Sequence, residues 1–224
     1  MLMNGRVKIS PGARLLFIGD SVTDCNRLRP VGRGSRQALG EGYVAEVYRL
    51  LEQVHPRRPI RITNMGTSGN TVRDLASRWD ADVIAHEPEW LSVMIGINDV
   101  WRQFDKVDST AAVPLEEFFD TYDGLIKRTR PMLKGLVLMT PYYVQSERRD
   151  LMRLQMDEFG RVVRDLATRH KALFADTQAA MDSVLARLDY KLIAADRVHP
   201  TEIGHSVLAH AFLRAVGFRP QSRR

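Results

Sequence analysis

Five short, almost continuous apolar runs alternate with longer segments of helical periodicity along this chain of 224 residues. Such runs are typical of parallel strands, because helices cover both faces of a parallel sheet. The predicted strands are Arg14–Ile18, Ile60–Thr63, Trp90–Ile95, Leu136–Met139 and Ala172–Ala175. Apolar residues at three- and four-residue spacing predict helices at Tyr43–Val54, Thr71–His86, Leu115–Arg130, Arg149–His170, Thr177–Leu188 and Glu202–Val216.

This alternation predicts an α/β fold, a three-layer α/β/α sandwich around a five-stranded parallel sheet, with one domain over residues 1–224. The composition, 44% hydrophobic and 27% charged, is close to that of ordinary globular domains. A chain of this kind can therefore bury a sizeable core without disulfides or metals. Ligands of such folds bind beyond the carboxyl ends of the strands, so candidate functional residues are sought there.

The net charge of +6 comes from two short stretches. Arginines at 27, 29, 33 and 36 lie in one loop-like segment, and arginines at 219, 223 and 224 end the chain. Without these seven, 26 basic residues face 27 acidic ones, so no basic face for nucleic acid is expected. The Arg27–Arg36 cluster could attract an acidic saccharide or pair with surface carboxylates, and the second interpretation is favoured.

The sequence favours a cytoplasmic protein with neither membrane, metal nor cofactor. No apolar run reaches about 18 residues, and charges stand where a signal peptide would have its apolar core. A single cysteine, Cys25, excludes an intramolecular disulfide and a multi-cysteine metal site. His205 and His210 are five residues apart on the last predicted helix, which is not the spacing of a zinc pair, so both are interpreted as structural. The number of chains that assemble is left open, a homo-oligomer included.

Polar and glycine residues follow the first three predicted strands. Ser21, directly after the first strand, is either a nucleophile or an ordinary turn residue, and Thr23 stands where a Gly-x-Ser-x-Gly elbow has its second glycine. The loop after the second strand contains Gly66 and Gly69, whose backbone N–H groups would point toward the same sheet edge. Asn98 follows the third strand, as a side-chain amide donor or as a turn or cap residue.

Two further candidates are Asp196 with His199, and Trp101. An aspartate three residues before a histidine can fold back to bind Nδ1, which leaves Nε2 free to act as a base. The alternative is a capped or solvated histidine near the start of the last helix. Trp101 follows Asn98 closely enough to border a pocket, where it could stack on a sugar, or it belongs to the core.

Serine, glycine, asparagine and Asp-x-x-His occur in this order, and together they resemble the SGNH (GDSL-like) hydrolase family over residues 15–218. The resemblance implies a flavodoxin-like SGNH hydrolase fold and a carboxylic ester hydrolase. It implies that Ser21 is the nucleophile, His199 the base and Asp196 its orienting partner. The oxyanion-hole donors would be Ser21, Gly69 and Asn98, with Gly66 as a rival for Gly69.

Four stretches are similar to one subgroup, the bacterial intracellular acetylxylan esterases and related carbohydrate deacetylases; they cover residues 19–25, 29–32, 69–75 and 96–102. This similarity implies removal of short acyl groups, acetyl above all, from O-acetylated saccharides such as xylo-oligosaccharides. The reaction would pass through an acyl-serine and require no cofactor. The alternative is a lysophospholipase or thioesterase-like GDSL lipase that acts on longer acyl esters.

Overall fold

A computed structural model describes residues 7–104 and 112–218 of the chain. The arginines at 219, 223 and 224, which the sequence identifies as one of the two basic stretches, lie outside these described residues. In the described part, a twisted sheet is flanked by helices on both faces. The three-layer α/β/α architecture is therefore confirmed.

The sheet has the strand order β2-β3-β1-β4-β5-β6. Five of these strands are parallel to their neighbours, and without β2 their order is the doubly wound, flavodoxin-like one. The prediction of five parallel strands is confirmed. Most of the strand ends differ from the predicted ones by a single residue. The strands are β1 (Arg14–Gly19), β2 (Gly32–Arg33), β3 (Arg61–Asn64), β4 (Trp90–Met94), β5 (Gly135–Met139) and β6 (Leu173–Ala175).

The sixth strand, β2, is a correction to the five-stranded prediction. It consists of two residues that pair antiparallel with β3, Gly32 opposite Asn64 and Arg33 opposite Thr63. Two residues carry no periodicity, so only the tertiary pairing at the sheet edge reveals this strand.

Six of the helices in the described ranges were predicted, and two were not. The helices are α1 (Ser21–Asp24), α2 (Tyr43–Val54), α3 (Val72–Asp82), α4 (Ile97–Phe104), α5 (Leu115–Thr129), α6 (Leu151–Arg169), α7 (Thr177–Leu185) and α8 (Glu202–Ala215). The unpredicted helices, α1 and α4, are the ones that directly follow β1 and β4. With four residues α1 is too short for an amphipathic pattern, and the polar residues in the first turns of both helices resemble turn sequences.

Local interactions mark the start of α3 and the end of α8. At the start of α3 the Thr71 hydroxyl accepts from the Asp74 N–H, and the Asp74 carboxylate accepts from the Thr71 N–H at 2.8 Å, which completes a capping box. The predicted helix over 71–86 nevertheless stops at Asp82, and a 3-10 turn follows at Ile84–His86. After α8, Gly217 takes a φ of +85°, the left-handed conformation of a helix stop.

The core lies on both faces of the sheet. Alternate residues of β1 enter different layers: Leu15 and Phe17 pack toward α2 and α8, and Leu16 and Ile18 pack toward α3, α4, α5 and α6. All the parallel strands point the same way, so the loops after β1, β3 and β4 meet at one edge of the sheet.

Candidate active site

The nucleophile candidate lies at the carboxyl end of β1. Asp20 caps α1, since its carboxylate accepts the Val22 N–H at 3.0 Å, and Ser21 is the first helical residue. The helix ends after one turn at Cys25, which has a φ of 36°. This tight turn presents the Ser21 hydroxyl at the sheet edge, with Oγ 3.0 Å from Nε2 of His199.

His199 is held by Asp196, as the Asp-x-x-His spacing predicts. Oδ2 of Asp196 is 2.6 Å from Nδ1 of His199, and Oδ1 accepts the backbone N–H groups of His199 at 2.8 Å and Val198 at 3.0 Å. A carboxylate acceptor requires that Nδ1 carry the proton. Nε2 then has a free lone pair, which can accept the Ser21 hydroxyl proton.

The hydrogen bonds also set the charge of Asp196. Partial burial opposes its ionisation, but the bonds from the His199 ring and from two backbone N–H groups outweigh burial, and the pKa of Asp196 is lowered. The carboxylate is therefore ionised at neutral pH and can stabilise an imidazolium on His199.

Ser21 and His199 line one cavity of about 500 Å³ together with Gly69 and Asn98. Asn98 lies in the first turn of α4, where its Nδ2 donates to the Asn70 carbonyl at 2.9 Å, and its other amide hydrogen has no acceptor among residues 7–104 and 112–218. Gly69 takes a φ of +80° in the loop between β3 and α3. The loops after three neighbouring strands thus bring a hydroxyl, a backbone N–H and a side-chain amide to one space.

Gly66, the rival to Gly69, is differently placed. Its N–H donates to Oδ1 of Asn64 at 2.9 Å, and its carbonyl accepts from the guanidinium groups of Arg27 and Arg29. It does not line the cavity. A committed N–H that faces another side chain cannot stabilise a charge on a bound substrate.

Trp101 is a cavity residue rather than a core residue. Its side chain is 41% exposed, lines the same cavity and meets the His199 ring edge-on, with the ring centroids 6.3 Å apart. A flat apolar surface thus lies beside the base at the mouth of the cavity.

The Arg27–Arg36 cluster does not line this cavity. The buried Arg27 guanidinium donates to the carbonyls of Gly66, Leu28 and Pro30. Arg29 pairs at 2.5 Å with Asp24, which is a buried carboxylate and not a surface carboxylate of the kind that the favoured interpretation expects. These two arginines hold loops in place.

Sequence reasoning missed Cys25 and His205, which also line the cavity. The Cys25 Sγ lies 3.4 Å from Nε2 of His205, and the Tyr43 N–H donates to Nδ1 at 3.2 Å. Burial lowers the pKa of His205 to about 4, so the ring is neutral, with its proton on Nε2 facing the sulfur. A ring with no lone pair toward Cys25 cannot take the thiol proton, so this pair is not a second nucleophile and base. The two residues are 180 positions apart, and no local pattern connects them.

Burial also affects two carboxyl groups behind the site. Desolvation raises the pKa of both Asp20 and Asp99 to about 7. Asp99 is fully buried in α4, where Oδ1 accepts the Val72 N–H at 2.9 Å. Its Oδ2 has no hydrogen-bond partner among the described residues.

Residues 7–104 and 112–218 contain neither a cluster of potential metal ligands nor a helix that could span a membrane. No group of three or more His, Cys, Asp or Glu side chains there could hold a metal ion. None of the helices in these ranges is long and apolar enough to cross a membrane.

Comparison with known proteins agrees with this geometry. Residues 17–207 match the model of the GDSL-like lipase/acylhydrolase family. An acetylxylan esterase from Geobacillus stearothermophilus is 53% identical over 213 residues, which cover 95% of this chain and 97% of that protein. Its crystal structure superposes with a TM-score of 0.93 over 96% of this chain and 100% of the other.

Other solved structures are similar as well. LAE5, an alpha/beta hydrolase enzyme from the metagenome of Lake Arreo in Spain, is 44% identical, with a TM-score of 0.91 over 94% of this chain and 98% of its own. Three structures of the Geobacillus esterase are of catalytic mutants, in which a serine, a histidine or an aspartate is replaced by alanine. From its fold, its family match and its similarity to these proteins, this chain belongs to the GDSL-like lipase/acylhydrolase family and is a carboxylic ester hydrolase.

Proposed function

We propose that this protein is a serine esterase that removes acetyl groups from O-acetylated xylo-oligosaccharides, with Ser21 as nucleophile, His199 as base and Asp196 as the partner of His199. The observation that carries the proposal is the continuous chain of hydrogen bonds from Ser21 Oγ through His199 to Asp196, with 3.0 and 2.6 Å between the atoms. The 53% identity to an acetylxylan esterase supports the substrate class.

The first half of the reaction forms an acetyl-serine. Ser21 Oγ attacks the acetyl carbonyl carbon while its proton passes to Nε2 of His199, and Asp196 stabilises the imidazolium. The tetrahedral adduct then breaks its bond to the sugar oxygen, which leaves with the proton from Nε2. The sugar hydroxyl is released, and the acetyl group stays on Ser21.

The second half regenerates the enzyme. A water molecule gives a proton to Nε2 of His199 and attacks the acetyl-serine carbonyl. The adduct breaks its bond to Ser21 Oγ, which regains the proton from Nε2, and acetic acid is released and ionises in solvent to acetate. Each cycle consumes one ester and one water.

Three donors stabilise the oxyanion in both halves: the backbone N–H groups of Ser21 and Gly69 and the free amide hydrogen of Asn98. Removal of one such donor from a preorganised site raises the barrier by about 3 kcal/mol. Gly66 is not among them, because its N–H is bound to Asn64. The catalytic mutants of the Geobacillus esterase replace a serine, a histidine and an aspartate, the residue types of this proposed set.

Trp101 is the proposed sugar-binding residue. It is exposed beside His199 at the mouth of the cavity, where the sugar must lie when its acetyl group reaches Ser21. Aromatic rings stack on the apolar faces of sugars, so Trp101 would orient the leaving xylose unit.

The experiment is a series of esters with one leaving group and acetyl, butyryl, octanoyl or palmitoyl chains, run beside acetylated xylobiose. In a site built for long chains each buried methylene adds about 0.8 kcal/mol, so kcat/KM would climb steeply with chain length. The proposal expects the highest kcat/KM at acetyl, and acetate release from the sugar. A maximum at octanoyl or longer without acetate release would replace it with a lysophospholipase or thioesterase-like lipase.

We also propose that the protein works in the cytoplasm, with a small ester as the only partner that its reaction requires. The single cysteine of the chain, Cys25, is a free thiol, which fits a reducing compartment. Fractionation of the source cells with antibody detection tests this location, and recovery in the medium or with membranes would contradict it.

A further inference from the structure

We propose that Arg78 is a positioning residue that fixes the distance between the nucleophile turn and the oxyanion loop, which we define as residues 65–71 between β3 and α3. This inference rests on the proposed function, because it assumes that Ser21, Gly69 and Asn98 act on one ester. It assigns a role to a side chain that does not line the cavity.

The guanidinium of Arg78 reaches both segments at once. From α3, Nη2 donates to the carbonyl of Gly19 at 3.0 Å, two residues before Ser21. Nη1 donates to the carbonyl of Met65 at 2.8 Å, and Nε donates to Oδ1 of Asn70 at 2.6 Å. These acceptors stand at the end of β1 and at the two ends of the oxyanion loop.

Asn70 connects this contact to the proposed oxyanion hole. Its side chain binds Arg78, its backbone carbonyl accepts from Nδ2 of Asn98 at 2.9 Å, and it directly follows Gly69 in the chain. A displacement of Asn70 would therefore move two of the three oxyanion donors relative to Ser21. Such small misplacements of reacting groups are costly in rate.

Backbone hydrogen bonds to β1 hold only the first residues of the oxyanion loop, next to β3. The Met65 N–H donates to the Phe17 carbonyl at 2.8 Å, and the Thr67 N–H donates to the Gly19 carbonyl at 3.0 Å. These bonds continue the parallel pairing of β1 with β3, and they do not depend on Arg78. We therefore expect variants at Arg78 to keep the fold.

The far end of the loop depends on side chains. Carboxylates of α3 and α4 bind the N–H groups of Thr71 and Val72, and Arg78 binds Asn70. Of these side chains only Arg78 also binds β1. Asp24 of the nucleophile turn also binds Ser68, so Arg78 is a second side-chain link between this turn and the loop, and it is the one that holds Asn70, the acceptor of the Asn98 amide.

The chemistry of this contact requires arginine. The planar guanidinium directs Nε, Nη1 and Nη2 toward three acceptors, whereas the single nitrogen of a lysine cannot reach all three. Asp82, four residues further along α3, binds Nη1 at 2.5 Å and offsets the charge of a side chain that is only 16% exposed. Replacement by lysine thus keeps the charge and removes the fixed geometry.

Arg73 provides the matched control. It lies on the same helix, pairs with Glu117 at 2.5 Å in a 42% exposed position, and does not line the cavity. Arg73→Lys makes the same chemical change as Arg78→Lys at a site that holds no loop of the proposed active site.

The experiment measures kcat and KM on a short-chain activated acetyl ester, well below each variant's melting temperature. We expect Arg78→Lys to lower kcat at least about tenfold with KM within about twofold, because the lost positioning acts in the transition state. Arg73→Lys should stay within about twofold of wild type. Arg78→Lys combined with Asn98→Ala should lose less than the product of the two single losses, because Arg78 acts partly through Asn98.

Two results would overturn the inference. One is a wild-type kcat in Arg78→Lys. The other is a double variant whose loss equals the product of the single losses, which would show that Arg78 and Asn98 act independently. If Arg78→Lys does not fold, Asn70→Ala replaces it, since that change deletes only the acceptor of Nε. A lowered kcat in Asn70→Ala supports the inference, and an unchanged kcat overturns it.

The proposed function and this inference fail in different ways. A wild-type protein without esterase activity, or a fully active Ser21→Ala variant, would overturn both. An active wild type with an inactive Ser21→Ala and an unaffected Arg78→Lys would overturn the role of Arg78 alone.

Discussion

For each of the two histidines in this site, a neighbouring group determines which ring nitrogen carries the proton. The carboxylate of Asp196 binds Nδ1 of His199 and two backbone N–H groups, so the ring can neither rotate freely nor change tautomer. His205 shows the opposite arrangement, because the Tyr43 N–H occupies Nδ1 and places the proton on Nε2. Of these two cavity histidines, only His199 can therefore act as a base toward a hydroxyl.

Asn98→Ala tests one of the proposed oxyanion donors. We expect kcat to fall about 100- to 1000-fold with a smaller change in KM, because the amide acts mainly on the charge of the transition state. Steady-state kinetics on an activated acetyl ester measure this loss, with thermal unfolding to confirm that the variant is folded. An unchanged kcat would remove Asn98 from the oxyanion hole.

Asp99→Asn tests the effect of burial on a carboxyl group. With a folded pKa of about 7, Asp99 keeps its proton over a pH range in which the unfolded chain has released it. Its contribution to stability is therefore complete at low pH and is lost as pH rises toward 7. Asparagine does not titrate, so the stability of Asp99→Asn relative to wild type should increase with pH.

Denaturant unfolding of both proteins at about pH 5 and about pH 8 measures this difference. Asp20 titrates in the same range and its charge helps to raise the pKa of Asp99, so the comparison measures the titration of a coupled pair. A stability difference that is the same at both pH values would contradict the proposed effect of burial on Asp99.

Secondary-structure elements were predictable where their signals are local. The Thr71 capping box involves only four consecutive residues, and the buried parallel strands are nearly continuous apolar runs. The helix that carries Asn98 was missed because its first residues resemble a turn. The contacts of Arg78 with Met65 and Gly19 span 13 and 59 residues, so no sequence pattern indicates them.

The two glycines of the oxyanion loop should respond differently to alanine. A Cβ on Gly66 would lie 2.3 Å from the backbone nitrogen of Asp24, so the nucleophile turn and the loop would have to separate. A Cβ on Gly69 meets nothing within 4 Å, but its φ of +80° costs a side chain roughly 1–2 kcal/mol. Gly66→Ala should therefore lower the free energy of unfolding more than Gly69→Ala. Denaturant titration measures both, and an equal or reversed order would contradict the packing described here.

At the scale of the whole molecule, the parallel sheet brings distant segments of the chain together. Ser21 and His199 are 178 residues apart in sequence and hydrogen-bonded in space. The resemblance to the SGNH hydrolases implies this meeting, whereas the strand-end rule alone does not, because His199 precedes α8 and follows no strand. The sequence could not predict that Cys25 and His205 line the cavity, since their neighbours are set by the packing of α8 against α2.

Activity should be insensitive to metal chelators. The proposed mechanism uses a hydroxyl, an imidazole and a carboxylate, and within residues 7–104 and 112–218 no group of three potential ligand side chains is found. Dialysis against a chelator, with a known metal-dependent esterase as control, tests this expectation. Loss of activity that a divalent cation restores would favour a metal-activated water as the nucleophile.

The most direct test of the central claim is acetate release from acetylated xylobiose by wild type, Ser21→Ala and Ser68→Ala. Ser68 lines the same cavity, but its hydroxyl donates to Asp24 at 2.9 Å, so it controls for the loss of a hydroxyl from this space. We expect wild type and Ser68→Ala to release acetate, and mass spectrometry of the quenched wild-type reaction to find an acetyl group on Ser21. Ser21→Ala should release none. Acetate release by Ser21→Ala at the wild-type rate would contradict the account.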